Sequence, residues 1–131
     1  MPAAARLYWP PSVCVKCCSV PGWERAMPEI RCWHWDAERD GPFSEEAMRL
    51  KLEHMGYLVH RYVYPPGTSF PPHRHAMDKI DGVISGCFRM RMFGQTLDLQ
   101  AGDMLYVPAG AMHEAEVLGE LPVVSLDAVR A

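Results

Sequence analysis

The chain has 131 residues, 49% of them hydrophobic, and a formal net charge of -3. That length holds one domain with a core of moderate size. The charge is small and mixed, with no basic stripe, which argues against nucleic acid as a partner. No apolar run approaches the roughly 20 residues that span a bilayer, so no membrane role is expected and a cytoplasmic protein is the default.

Residues 1–26 read unlike the rest. They contain the Pro10-Pro11 pair, show no helix or strand period, and hold three of the five cysteines, Cys14, Cys17 and Cys18. The stretch Val13 to Val20 is broken by Lys16 and cysteines, so it makes a poor signal-peptide core. We expect an irregular or disordered segment over 1–26, with Met27 as the biological start and a single domain over 27–131. A zinc clip from Cys14, Cys17, Cys32 and His34 is the sharper alternative, although its spacing matches no known ribbon or finger. The odd cysteine count and the missing secretion signal speak against a disulfide framework.

Past Met27 the pattern is strand, helix, then strands to the end. Ile30 to Trp35 reads as a strand. Ser44 can cap a helix that runs through about Met55, with Met48, Leu52 and Met55 on one face and Gly56 as its stop. Tyr57 to Tyr64, Ile80 to Ser85, Cys87 to Phe93, Thr96 to Leu99, Met104 to Val107, Glu114 to Leu118 and Val123 to Ala128 follow as strands between Gly and Pro turns. Many short strands so punctuated indicate a sandwich or barrel rather than a parallel sheet. Phe70, Phe88, Met90, Met92, Leu105, Val107 and Met112 are candidate interior residues, although strand parity turns some of them outward. Tyr106, Arg89 and Arg91 could bind a carboxylate or simply lie on the surface. Cys87 reads as a small packed residue, since no base is placed to activate it.

Two stretches carry chemistry. GTSFPPHRH, Gly67 to His75, sets two histidines one residue apart, and on extended backbone both side chains point to one face while Arg74 points elsewhere. GDMLYVPAGAMH, Gly102 to His113, supplies a third histidine behind turn residues that return the chain. Three imidazoles from separate segments can meet at one divalent metal ion, for which neutral imidazole is the commonest ligand. His34, His54 and His60 lack such joint spacing and read as structural or surface residues.

The two motifs together resemble those of the cupin superfamily, in a small single-domain form. Gly67, His73, His75 and Gly86 fall in place in the first motif, and Gly102, Pro108, Gly110 and His113 in the second; the likeness covers roughly Met27 to the C-terminus. The resemblance implies an all-β double-stranded β-helix, a jelly-roll barrel, here with one short N-terminal helix. It also implies metal ligation by His73, His75 and His113, and often a homodimer. The aromatic run Trp33-His34-Trp35 could lie in such an interface or complete one subunit's core.

Two positions depart from the family pattern. Lys79 stands where the usual carboxylate ligand would be, and Val117 replaces the usual Asn. A protonated lysine has donors and no acceptor, so it cannot ligate a cation. Three readings compete: Asp78 stands in as a fourth ligand; three histidines suffice, with Lys79 paired to Asp81 beside the metal as candidate catalytic groups; or Lys79 is a solvated charge at the barrel mouth. Strand alternation disfavours Asp78, because Lys79, Asp81 and Val83 share one face while Asp78, Ile80 and Ile84 share the other.

The resemblance implies a metal-dependent protein acting on a small organic molecule. Fe2+ is the first expectation, with Mn2+, Ni2+ or Zn2+ as alternatives. Dioxygenase-type chemistry comes first, an isomerase or lyase using the metal as a Lewis acid second, and a non-enzymatic binding or sensing module third.

Overall fold

The computed structural model describes residues 29–130. The expected segment 1–26 and the start at Met27 therefore lie outside the described residues. The chain runs β1 (Arg31–His34), α1 (Ala37–Asp40), α2 (Glu45–His54), β2 (Leu58–Tyr64), β3 (Ser69–His73), β4 (Asp78–Ser85), β5 (Cys87–Met92), β6 (Gln95–Leu99), β7 (Asp103–Val107), β8 (His113–Leu118) and β9 (Val123–Arg130). Two helices precede β2 where one was expected. The extra one is a single turn, started by the Asp36 carboxylate accepting from the Glu38 and Arg39 N–H groups. The Ser44 hydroxyl likewise caps α2, accepting from Ala47 N–H at 3.0 Å.

The strands form two antiparallel sheets. The first has the order β1-β7-β4-β9-β2, the second β3-β8-β5-β6. They face one another as a jelly roll whose sheets are not joined into one continuous hydrogen-bonded barrel. Between them lies an inner core built from Phe88, Met90 and Met92 of β5, Leu105 and Val107 of β7, and Val83, Leu97, Leu99 and Val117. Phe70 packs on its rim, while Met112, an expected interior residue, is 48% exposed.

The first sheet carries a second core on its other face. There Met48 and Leu52 of α2 meet Ile80, Met104, Leu126, Ala128, Trp33 and Trp35. The two tryptophans thus complete this chain's own core. A Cβ at Gly82 would come within 2.6 Å of Met48 Sδ, so glycine is what lets α2 lie this close to β4. Gly86 has a different reason: φ is +86° and a Cβ would strike the Pro122 carbonyl.

Β3 is the strand that composition conceals, because Pro71 and Pro72 remove two amide donors from it. Its place at the edge of the second sheet tolerates that loss, and the pairing with β8 shifts register between Phe70 and His73.

Candidate metal centre

The register after that shift sets His73 of β3 directly opposite His113 of β8. Their rings lie 4.2 Å apart, centroid to centroid. His75 is beyond the end of β3, in a loop rather than on the extended strand expected, yet its ring reaches the same place, 4.9 Å from His73 and 5.2 Å from His113. Two contacts hold that loop: the Gly110 N–H donates to the His75 carbonyl at 2.8 Å, and the Ala109 N–H donates to the Asp78 carboxylate at 2.7 Å. Asp78, at the start of β4, is therefore a strut to the turn that leads into His113. It lies outside the histidine group, as strand parity implied.

The proton positions follow from the acceptors. His73 Nδ1 is 2.8 Å from the Pro71 carbonyl oxygen, and His113 Nδ1 is 2.9 Å from that of Ala111. A carbonyl only accepts, so each Nδ1 carries the hydrogen and each Nε2 keeps its lone pair. His75 Nε2 is buried and has no hydrogen-bond partner. One ligand nitrogen from each of the three lies within 4.8 Å of the others. Burial, reinforced by Lys79 and His73, lowers the pKa of His75; burial also lowers that of His113, against the pull of the Ala111 carbonyl. Both effects favour the neutral imidazole that a metal requires. These residues fit a divalent cation: three imidazole nitrogen donors converge, two oriented by carbonyls and one otherwise orphaned.

The histidines form one end of a cavity of about 350 Å³ between the sheets. Its wall from the first sheet carries charge. Asp81 of β4 stands directly across from Asp127 of β9. Lys79 Nζ lies 3.0 Å from Asp81 Oδ1 and 3.2 Å from Asp127 Oδ2. The Ser125 hydroxyl donates to Asp127 Oδ1 at 3.0 Å. Lys79 is only 7% exposed, which removes the reading of it as a solvated charge at the mouth. Burial pushes the ammonium toward neutrality, but the two carboxylates overcome this and hold its pKa above the usual lysine range. Burial, opposed by Lys79 and reinforced by Asp127, raises Asp81 to about 7. The Tyr64 hydroxyl, also lining the cavity, is pushed up by burial and then by the neighbouring carboxylates.

With two carboxylates on one lysine, the cluster carries no surplus positive charge, so the repulsion that Lys79 implies in isolation is screened. Asp127 and Tyr64 line this cavity, Ser125 supports Asp127, and none of the three was singled out from the sequence. The available signal was Ser125 and Asp127 sharing a strand face with Val123. Arg89 and Arg91 lie away from the cavity, paired with Asp98 and Glu116. Of the expected zinc clip, Cys14 and Cys17 lie outside the described residues, Cys32 is buried in the inner core, and His34 Nδ1 meets Asp103 at 2.7 Å.

The family model described as Cupin domain matches residues 60–129. Among solved structures, the chain is similar to a double-stranded beta-helix protein from Klebsiella pneumoniae, at 26% identity and TM-score 0.51, covering 56% of this chain and 66% of that one. It is also similar to a predicted oxalate decarboxylase from Thermotoga maritima, at 25% identity and TM-score 0.52, covering 79% and 81%. A cupin protein from Bacteroides fragilis matches at 26% identity and TM-score 0.50, covering 55% and 63%. This chain thus spans just under two thirds of the length of the first of these and of the third. No curated protein matches the sequence. No helix among the described residues is long and apolar enough to cross a membrane.

Proposed function

This chain belongs to the cupin domain family, and from that premise we propose that it is a metal-dependent enzyme acting on a small organic molecule in the cavity between its sheets, with iron-dependent dioxygen chemistry as its reaction class. The observation that carries the proposal is the orphaned His75 Nε2, buried beside two imidazoles whose Nδ1 hydrogens are already engaged. His73, His75 and His113 would hold the ion. Three neutral ligands suit Fe2+ and also admit Mn2+, Ni2+ or Zn2+. A bound metal would supply redox and Lewis-acid chemistry toward a small molecule in the cavity.

The chain's own residues supply the rest. Phe70, Phe88, Met90 and Ala115 line the cavity with apolar surface and exclude water from the reacting end. On the facing wall Lys79 is held charged between Asp81 and Asp127, Asp81 is the group poised to exchange a proton, and the Tyr64 hydroxyl stays protonated as a donor to Asp127, 3.5 Å away.

That proton-holding wall favours a second reading, an isomerase or lyase in which the metal polarises a carbonyl and Asp81 or Lys79 moves the proton. The similarity to a predicted oxalate decarboxylase supports it as well. Purified without chelator, the protein should carry close to one metal ion per chain, and His113→Ala should carry almost none. Metal-free wild type that gains nothing from added iron, nickel, zinc or manganese would sink both enzyme readings and leave a binding module. With metal present, oxygen consumption in the presence of candidate substrates supports the first reading; solvent-deuterium incorporation into substrate without oxygen consumption supports the second.

A further inference from the structure

The two ends of the cavity restrict what can bind there. Away from the histidines, Tyr64, Phe70 and Phe88 make an aromatic corner. Tyr64 and Phe70 meet edge to face at 5.0 Å, Tyr64 and Phe88 stack at 5.6 Å, and Phe70 meets Phe88 edge to face at 6.2 Å. The ring of Phe70 is 6.4 Å from that of His73, so the corner begins one ring's width from the imidazoles. A flat or branched apolar group placed there is buried against π-faces and a methionine thioether, Met90.

Charge restricts the ligand further. Lys79 is the one Lys or Arg among the residues lining the cavity, and both Asp81 and Asp127 already hold its Nζ. A ligand whose body carries a carboxylate out of reach of the metal would find no free cation to receive it and would face two acidic side chains instead. A buried anion left unpaired is strongly disfavoured.

Resting on the metal centre proposed above, we infer that the site takes a molecule with one oxygen-donor head for the metal and an uncharged aromatic or branched apolar body, that it disfavours a second carboxylate on that body, and that Asp127 sets this specificity. Asp127 does so by holding Lys79 from the side opposite Asp81, fixed in turn by Ser125. This ligand class differs from the one named for the Thermotoga maritima neighbour.

The test uses the full chain loaded with Co2+, whose visible absorption reports ligand exchange, together with calorimetry. Three probes are titrated: acetohydroxamic acid, benzohydroxamic acid and 4-carboxybenzohydroxamic acid, each normalised to its affinity for the free ion. Benzohydroxamic acid should bind about tenfold more tightly than acetohydroxamic acid, as burying a phenyl ring in an apolar corner predicts. The carboxylated probe should bind more weakly than benzohydroxamic acid. Phe70→Ala, a half-buried edge-strand position, should shrink the phenyl advantage, and Asp127→Asn should raise the affinity of the carboxylated probe relative to benzohydroxamic acid. A phenyl-to-methyl ratio near one, or the carboxylated probe binding tightest, overturns the inference, and an unchanged ratio of the two aromatic probes in Asp127→Asn overturns the role of Asp127. If Asp127→Asn does not fold, the wild-type probe order and Phe70→Ala still decide the ligand class. A chain that takes up no cobalt defeats the metal centre itself; one that takes up cobalt but prefers the carboxylated probe defeats only the ligand class.

Discussion

The sheet that carries His73 and His113 buries one face and wets the other, whereas β4 of the facing sheet, which carries Lys79 and Asp81, is covered on both faces, and most of its neighbour β9, which carries Asp127, is covered too. On the second sheet, β5 alternates strictly: Phe88, Met90 and Met92 point inward, and Arg89 and Arg91 form ion pairs outside. On the first, five consecutive residues of β4, Lys79 to Val83, are buried, because α2 and its apolar face lie where solvent would otherwise be. Neutral imidazoles can sit on a wall with water behind it. Charged groups buried in a wall need ion partners in place, and here they have them.

The sharpest way to break this contrast is to remove the cation from the doubly covered wall. Lys79→Met leaves Asp81 and Asp127 facing each other without a partner, and we expect a loss of about 3–5 kcal/mol in urea unfolding. A loss under about 1 kcal/mol, the range of solvated pairs, would mean that water reaches the cluster and the two walls are alike.

Next in size, Leu52→Ala opens a cavity between α2 and the first sheet and should cost about 2–5 kcal/mol. The same denaturant series would show a far smaller change if α2 were only loosely applied.

The pH dependence sharpens the comparison from another side. Burial raises Asp81 to about 7, so between the ordinary carboxylate range and that value the folded chain holds a proton that the unfolded chain has released. Its contribution is complete at low pH and is lost as pH rises toward and through 7. His75 and His113, whose values are lowered, slope stability the opposite way. The difference between wild type and Asp81→Asn isolates the carboxylate: the wild type should lose stability relative to the variant as pH climbs from about 4 to 7. Parallel urea midpoints across that interval would contradict it.

The smallest effect belongs to the wet face. Arg91 and Glu116 pair at 3.1 Å but are 40% and 36% exposed, so Arg91→Ala should cost under about 1 kcal/mol and that little should fade in salt.

What was legible in the sequence follows the same division. The expected strands Cys87–Phe93 and Glu114–Leu118 match β5 and β8 within a residue, since one wet face preserves alternation. The histidine spacing was legible because turn residues fix it: Gly67 and Gly102 have positive φ and open the two motifs. Asp127 was not. Its strand is buried on both faces, so Ser125 and Asp127 look no more inward than Leu126 and Ala128 until the pairing with β4 is known. Β3 was hidden for a third reason, that two prolines in a strand are acceptable only at an edge, and edge position is a property of the whole sheet.

Surface loops ordinarily absorb insertions and deletions with little consequence. The loop bearing His75 and the turn that leads into His113 are joined by the Gly110 to His75 and Ala109 to Asp78 bonds, so a change of length in one is felt in the other. A residue added to one drags the other and pulls imidazoles out of convergence. The two motifs, far apart along the chain, are therefore tied in space, and Asp78, outside the histidine group, is the one side chain in that tie.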